Sequence, residues 1–521
     1  MTGPLPASLM GGLAAPAPAA RALQRELSRL VGGRASVGSQ DRIAASRDLW
    51  PRTHLWARAG RVGPLPDVVA WPSSLEELSA LVRRCSQLSV PVVAYGGGTG
   101  SAGAVVPLAG GVAVDLKRMN RLLALDPEAR EVEAEAGIVG EFLERRLQQA
   151  GLTLGHAPYD RRAATLGGWL ATRSAGWSAG RNGRLEDLVA TLTAVDGRGE
   201  VLTTPRRPLS GWDLAQVLMG SEGTLAVFAS ARLHVLSRPE ATVFQAWRFA
   251  SLRDAVEATR SLFRSGLRPA SVRLSDPSDA SPEESPEPAT PVGRRGSLRR
   301  RFDEALGTPL SRVLARMATA RPGGLNAAAR VLHSCVLALS FEGPSELCEL
   351  EAEEAGRLCV AARAEELGPE PARQWLSRKS AEDFAVSKAW DDGTFVDAID
   401  LAVTWDRVLE VQRQVREAIA SLALVRTRIG AAWAEGCSLE VLFAASAEDV
   451  DASVQRHDEI WRKALSAAQA AGAAASHHGG VGLQRLNAMQ AQLGEGMRVV
   501  SAFKATFDPR GILNPGKQGA A

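Results

Sequence analysis

Cysteine is scarce and badly placed for cross-linking. Five occur in 521 residues, Cys85, Cys335, Cys348, Cys359 and Cys437, and no two form a C-x-x-C pair. An odd, dispersed set supplies neither a disulfide framework nor a zinc ribbon, and it fits a reducing compartment. No uninterrupted apolar run reaches the length of a membrane span. The first twenty residues lack the basic start of a signal peptide, and Pro and Gly break their apolar run, so they read as a disordered tail. A soluble, cytoplasmic protein is expected. Charge of one sign is missing too: the net charge is only +3, which argues against the basic face of a nucleic-acid binder. Tyrosine occurs only twice and histidine seven times. What is plentiful is apolar content, 45% of a chain long enough for two or three domains with substantial cores.

The most informative stretch runs from Pro91 to Gly103. A strand-length apolar run, Pro91 to Tyr95, drives straight into Gly96, Gly97, Gly98, Thr99, Gly100, Ser101, Ala102 and Gly103. Glycines there permit positive φ and let bare N–H groups approach a ligand. Successive N–H groups pointing one way make an anion nest, to which Thr99 and Ser101 add hydroxyl donors. That chemistry suits a pyrophosphate, although glycine-rich segments also make ordinary tight turns. It is not the dinucleotide fingerprint of a doubly wound fold, because no helix opens after the glycines. A P-loop is excluded because no Gly-Lys-Ser/Thr closes it.

Along the chain, residues 21–31 carry helical apolar spacing and stop at Gly32-Gly33. Ser74 and Glu77 form a capping-box pattern before a helix whose face is Leu75, Leu78, Leu81 and Val82. Alternation over 131–136 predicts a half-exposed strand, and Phe142 to Ala150 a helix closed by Gly151. Residues 189–203 predict two strands joined at Asp196-Gly197, and 224–236 add further strand. The mixture is α+β. Residues 277–301 are rich in Pro, Ser and charge, and read as a solvated flexible loop. From 325 to 500, helices alternate with β-rich pieces at 335–341, 396–404 and 438–445, a pattern suiting a sheet-plus-helix domain. Two of the seven histidines are adjacent, His477 and His478, beside flexible Gly479 and Gly480. Imidazole shuttles protons near neutral pH; a helix-start turn with one buried and one exposed ring is the plainer reading. No carboxylate or cysteine sits at ligand spacing nearby, so no metal is expected.

Three blocks, 91–103, 155–177 and Gly220 to Phe228, resemble in order and spacing the FAD-binding domain of the vanillyl-alcohol-oxidase (PCMH-type) flavoproteins. Pro66-Asp67-Val-Val-Ala-Trp-Pro72 resembles that domain's opening phrase, and Phe507 to Lys517 its closing one. The resemblance implies a PCMH-type FAD-binding domain of two subdomains, plus an α/β cap domain with an antiparallel sheet. It divides the chain into an N-terminal tail and helical segment (1–62), the FAD domain (63–238), a cap (239–490) and a C-terminal return (491–521). It implies that Gly96 to Ser101 hold the FAD pyrophosphate. Tyr159, Asp160, Thr165 and Gly168, then Thr172, Arg173, Ser174 and Ala175, line more of the cofactor. Glu222, Gly223, Thr224, Leu225, Ala226, Val227 and Phe228 complete it. Many relatives tether the flavin through a His or Cys at the glycine-rich loop; residues 91–104 have neither, so FAD is expected to be non-covalent, with His156 an outside candidate.

Within that family the cap resembles alkylglycerone-phosphate synthase, in which the flavin serves exchange of an acyl chain for a fatty alcohol in ether-lipid synthesis. Pro269 to Asp276, Trp405-Asp-Arg-Val408 and Ser476 to Gly482 carry the likeness. It implies catalytic roles for Arg273, His477 and His478, with Arg273 an anion clamp. A small-molecule or lipid-like substrate follows, with at most peripheral membrane contact; a homodimer is compatible. The departures are definite. Glu440 stands where the family has its catalytic tyrosine, 37 residues before His477, and Gly479 replaces a third histidine. Tyr159 stands at an acidic position, and a further substrate arginine has only Arg378, Lys379 and Lys388 nearby. A phenol titrates near ~10 and a carboxyl near ~4.3, so at neutral pH one donates where the other accepts. Two other readings stay open: an FAD-linked oxidoreductase of the D-2-hydroxy-acid dehydrogenase type, and a non-catalytic FAD-binding homologue. The first of these lacks its usual Gly-Asp-Gly-Asn-x-His and Glu-His-Gly phrases here.

Overall fold

Local signals place the first helices where their caps dictate. Ser74 accepts from the Glu77 amide at 3.2 Å and starts Leu75–Leu88. Only half of the capping box forms. The Glu77 carboxylate turns to the Ser73 amide and to the Arg34 guanidinium, 2.6 Å away. The apolar face of this helix, Leu78, Leu81, Val82 and Cys85, is fully buried with Val68, Val92, Val112 and Val114. The computed structural model describes residues 17–206, 211–276, 322–323, 326, 335–377 and 394–519. The expected tail through residue 16 and the expected loop 277–301 lie outside the described residues.

The chain divides into two units, one from Met1–Arg238 with Ser476–Ala521, the other from Pro239–Ala475. In the first unit, strands Val68–Ala70, Val112–Asp115 and Val92–Tyr95 run parallel, with Ala35–Ser36 antiparallel at one edge. A second sheet is antiparallel: Leu122–Asp126, Glu131–Glu135, Ala226–His234, Val189–Asp196 and Val201–Thr203. Glu131–Glu135 lies inside that sheet, so the half-exposed strand expected from alternation is instead buried at both ends. Glu131 and Glu135 are 6% and 3% exposed, held by Arg206 and Arg121 respectively. Pairing is what makes such burial tolerable. The helix expected from Phe142 begins at Gly140 and buries Leu143 and Leu147, leaving Phe142 outside.

The second unit is built on one antiparallel sheet of seven strands. Their order is Glu365–Gly368, Ala241–Phe249, Cys335–Gly343, Ser271–Ser275, Leu424–Ala432, Gly436–Ser446 and Thr394–Thr404. The register sets Leu337, Leu274, Ile429, Leu439 and Leu401 in one row, each at most 2% exposed. Side chains alternate faces along a strand. The neighbouring row, on the opposite face, is therefore Val336, Ser275, Arg428, Glu440 and Asp400. Helices Ser345–Ala361, Val408–Ile419 and Val450–Ala470 cover the apolar side, touching Gln245, Thr427 and Asp397. One face of the sheet is thus a core and the other carries charge.

The sequence reading carries the cap to 490, whereas the chain rejoins the first unit at Ser476. The reason is local: the Val481 and Gly482 amides donate to Glu222, and the Leu483 amide donates to Ala102 O.

Candidate functional site

In the first unit, strand Val92–Tyr95 delivers the glycine-rich loop onto the wall of a cavity of about 270 Å³. Tyr95 anchors the strand end, its phenol donating to the carbonyls of Ala44 (2.9 Å) and Arg47 (3.1 Å). Two glycines have no substitute. A Cβ at Gly97 would collide with the Ala163 carbonyl oxygen, and one at Gly98, where φ is +64°, with the Tyr95 hydroxyl. The amides of Gly97, Gly98, Thr99, Gly100 and Ser101 find no acceptor among the described residues. Unpaired backbone donors beside a cavity need a ligand or water. A run of them fits the oxygens of a pyrophosphate, the group by which FAD would be held here.

Gly96 to Ser101, Tyr159, Asp160, Thr165, Gly168, Thr172, Ser174, Glu222, Gly223, Ala226 and Phe228 all line this cavity. Several act on their neighbours as well. Asp160 accepts from the Thr99 hydroxyl (2.6 Å) and the Trp169 indole (3.2 Å), joining the loop to the 155–177 block. Thr165 caps helix Leu166–Thr172 by accepting from the Gly168 amide. Glu222, at φ +51°, accepts from the Val481 and Gly482 amides and from Gln518, while burial pushes its carboxyl up. Tyr159 packs against Trp177 with ring centroids 3.9 Å apart.

Five expected residues stand off the cavity. Arg173 braces the turn behind it, donating to Gln216 and to the Met219 carbonyl. The Thr224 hydroxyl closes its own turn on Ser221 O. Ala175, Leu225 and Val227 are packed in the interior, at 6%, 6% and 1% exposure. Alternation along Ala226–His234 explains the last: Ala226 and Phe228 reach the cavity while Val227 points to the other side.

The histidine pair is split. His478 and Gly479 line the cavity, whereas His477 lies beside it, its carbonyl accepting from Arg184 at 3.1 Å. The rings are 5.2 Å apart. His156 is buried edge-on to Trp169 (4.9 Å) and is not part of the lining. Burial, with the neighbouring His478, drives its pKa to about 3, which keeps it neutral. Asp48 was not singled out from sequence, yet it lines the cavity behind Gly100. Nothing local marks it, since it is one acid beside Leu49 and Trp50 with no periodic pattern.

Arg273 and Glu440 belong to the second unit. Both sit on the charged face of its sheet, 6% exposed. The Arg273 guanidinium stacks over Trp375 at 5.6 Å. Glu440 accepts from Arg428 Nε at 2.6 Å, and a side chain at Gly430 would strike its carboxylate. Next in the row, Asp400 accepts from the Ser438 hydroxyl. Arg378, Lys379 and Lys388 lie outside the described residues.

Comparison with known proteins places the chain by family and fold. Residues 66–205 match the family model for an FAD binding domain, and 238–518 that for the C-terminal domain of FAD linked oxidases. The chain is 26% identical over 472 residues to an alkyldihydroxyacetonephosphate synthase of Caenorhabditis elegans, covering 88% of this chain and 76% of that protein. It is 24% identical over 470 residues to the glycolate oxidase subunit GlcD of Bacillus subtilis (strain 168), covering 88% and 89%. Among solved structures, an alkyldihydroxyacetonephosphate synthase superposes with a TM-score of 0.75 at 22% identity, over 95% of this chain and 84% of that one. No helix among the described residues is long and apolar enough to cross a membrane. With a second-domain model spanning more than half of its length and a glycine-rich cradle at the cavity, the chain belongs to the FAD-linked oxidases, a PCMH-type flavoprotein family whose cofactor is FAD.

Proposed function

We propose that this chain is an FAD-dependent enzyme of the alkylglycerone-phosphate-synthase type, acting on a small molecule that carries a phosphate or carboxylate. Arg273 carries the reading. It is a buried guanidinium, fixed by stacking on Trp375 and set in a stretch, Pro269 to Asp276, that resembles that enzyme's arginine phrase. A planar fork so held binds an oxyanion bidentately and orients what is attached to it. Bound FAD, held non-covalently, supplies the electrons and the reactive nitrogen that no side chain here offers. His478 lines the cavity, and in this reading its imidazole takes or returns a proton. The loop amides hold the cofactor's phosphates.

Glu440 favours a second reading, oxidation of a 2-hydroxy acid. Paired with Arg428, its carboxylate accepts hydrogen bonds where a phenol would donate, so the synthase's proton donor is lacking at that position. In that reading Arg273 clamps the substrate carboxylate. Stopped-flow absorbance separates the two. Exchange of an acyl chain for a fatty alcohol on acyl-dihydroxyacetone phosphate, without flavin bleaching, supports the first. Bleaching by a 2-hydroxy acid overturns it in favour of the second, and silence with both leaves an FAD-binding protein without either activity.

A further inference from the structure

The cavity poses an electrostatic problem. Its ligand carries two phosphate charges, yet among the described residues no lysine or arginine lines it, while three carboxylates do: Asp48, Asp160 and Glu222. Like charges at such range work against binding. Besides Lys117, whose Nζ donates to Gly96 O at 2.9 Å from an exposed position, a buried cation sits behind the wall. Lys517, 1% exposed, donates from Nζ to the Val106 carbonyl at 2.7 Å, at the end of the glycine-rich loop. Its neighbours stitch the same region together. Asn514 donates to Ala104 O (3.0 Å) and Glu222 O (2.7 Å), and Gln518 to Glu222 Oε2 and Gly220 O, both 2.9 Å. From the other side, Asp48 Oδ2 accepts from the Gly103 amide at 3.0 Å, and the Leu49 amide donates to Gly100 O at 2.7 Å. The two ends of the chain thus grip one loop, and each brings a buried charge to it.

We propose that Asp48 and Lys517 are positioning residues that set FAD affinity through the charge they place behind the glycine-rich loop, with neutral Asp48 and cationic Lys517 as the holding state. The cofactor's retention then weakens as pH rises.

Burial raises the Asp48 carboxyl to about 7, against the Trp50 and Gly103 amides and Lys517, which lower it. Burial lowers Lys517 to about 8, against Glu222 and Asp48, which raise it. Below both values the pair carries one positive charge; above both, one negative charge. The other groups that face them do not reverse this. The Tyr95 phenol, pushed up by burial and by Asp115 and Asp48, stays neutral at about 12. Glu222 has its carboxylate on two amides and Gln518, and its burial disfavours the ionised form. The inference rests on FAD occupying this cavity and not on which reaction follows.

The test uses the full chain stripped of FAD and retitrated by flavin fluorescence between pH 6 and 9, so no turnover enters. The wild type is expected to bind FAD about tenfold more weakly at pH 8.5 than at pH 6.5, the change a shift of one unit in either group implies. Asp48→Asn should hold its affinity through pH 7.5, where the wild type has begun to lose it. Lys517→Met should weaken binding about tenfold at pH 7, Lys517→Arg should recover most of it, and Asp48→Asn added to Lys517→Met should soften the loss. A wild-type affinity that is flat with pH, or an Asp48→Asn profile that follows the wild type, overturns the proposal. So does a folded Lys517→Met protein that binds FAD normally. If Lys517→Met does not fold, by circular dichroism, the Asp48→Asn profile decides alone.

Discussion

The Arg428–Glu440 pair gives the sharpest stability prediction, because its environment decides its size. The two groups meet at 2.6 Å with side chains only 10% and 8% exposed. An exposed pair would be worth about 0–1 kcal/mol. Removing one partner of a buried pair strands a charge and costs about 3–5 kcal/mol. Here the stranded group has company: Asp400 is the cross-strand neighbour of Glu440, so Arg428→Met leaves two carboxylates side by side. For a domain of this size, each kcal/mol moves the midpoint by about 2–4 °C, so roughly 6–20 °C is expected. The assay is calorimetric melting of the full chain, following the transition that moves with the substitution. Adding Glu440→Leu to Arg428→Met should return most of the loss, since two apolar groups replace a matched pair at little net cost. A fall of under 2 °C for Arg428→Met, or a double variant no better than the single one, would refute the reasoning. Glu440→Tyr puts a phenol in place of the carboxylate and takes that carboxylate from Arg428, so it should lower the melting midpoint as Arg428→Met does.

Three further outcomes are expected. Gly97→Ala drives a methyl into the Ala163 carbonyl, and at about 1–3 kcal/mol of overpacking it should be isolated without flavin absorbance. His457, fully buried, has its pKa raised by hydrogen bonds and charge from Asp397 and Asp458 that outweigh its burial. A raised pKa means stability that is complete below the unfolded value near ~6.5 and is lost as pH climbs through the folded one. Denaturant midpoints should therefore fall on the alkaline side, and His457→Gln should flatten that slope. Lys504 donates to Thr224 O, Asp508 Oδ2 and Leu513 O from a site 4% exposed. Lys504→Met should cost about 3–5 kcal/mol by urea unfolding and loosen the 508–513 turn to proteolysis.

What the sequence determined by itself is whatever short-range rules govern. Ser74 before its apolar helix, Gly32-Gly33 after another, and the strand running into five glycines are each legible within a dozen residues, because caps and turns are local events. From these came the helix starts, the strand that carries the loop, and the glycine-rich loop that lines the cavity. Along strand Ala226–His234 the limit of that reading is already visible: Ala226 and Phe228 reach the cavity and Val227 does not, a choice made by which face the sheet buries. Only the tertiary structure decided that Glu131 and Glu135 are interior, that His478 rather than His477 meets the cavity, and that Glu440 is matched to Arg428. It alone brought Asp48 and Lys517, from opposite ends of the chain, to one loop. The physical reason is the same in each case: a charge can be buried only where a partner distant in sequence arrives to meet it, and no local pattern records that arrival.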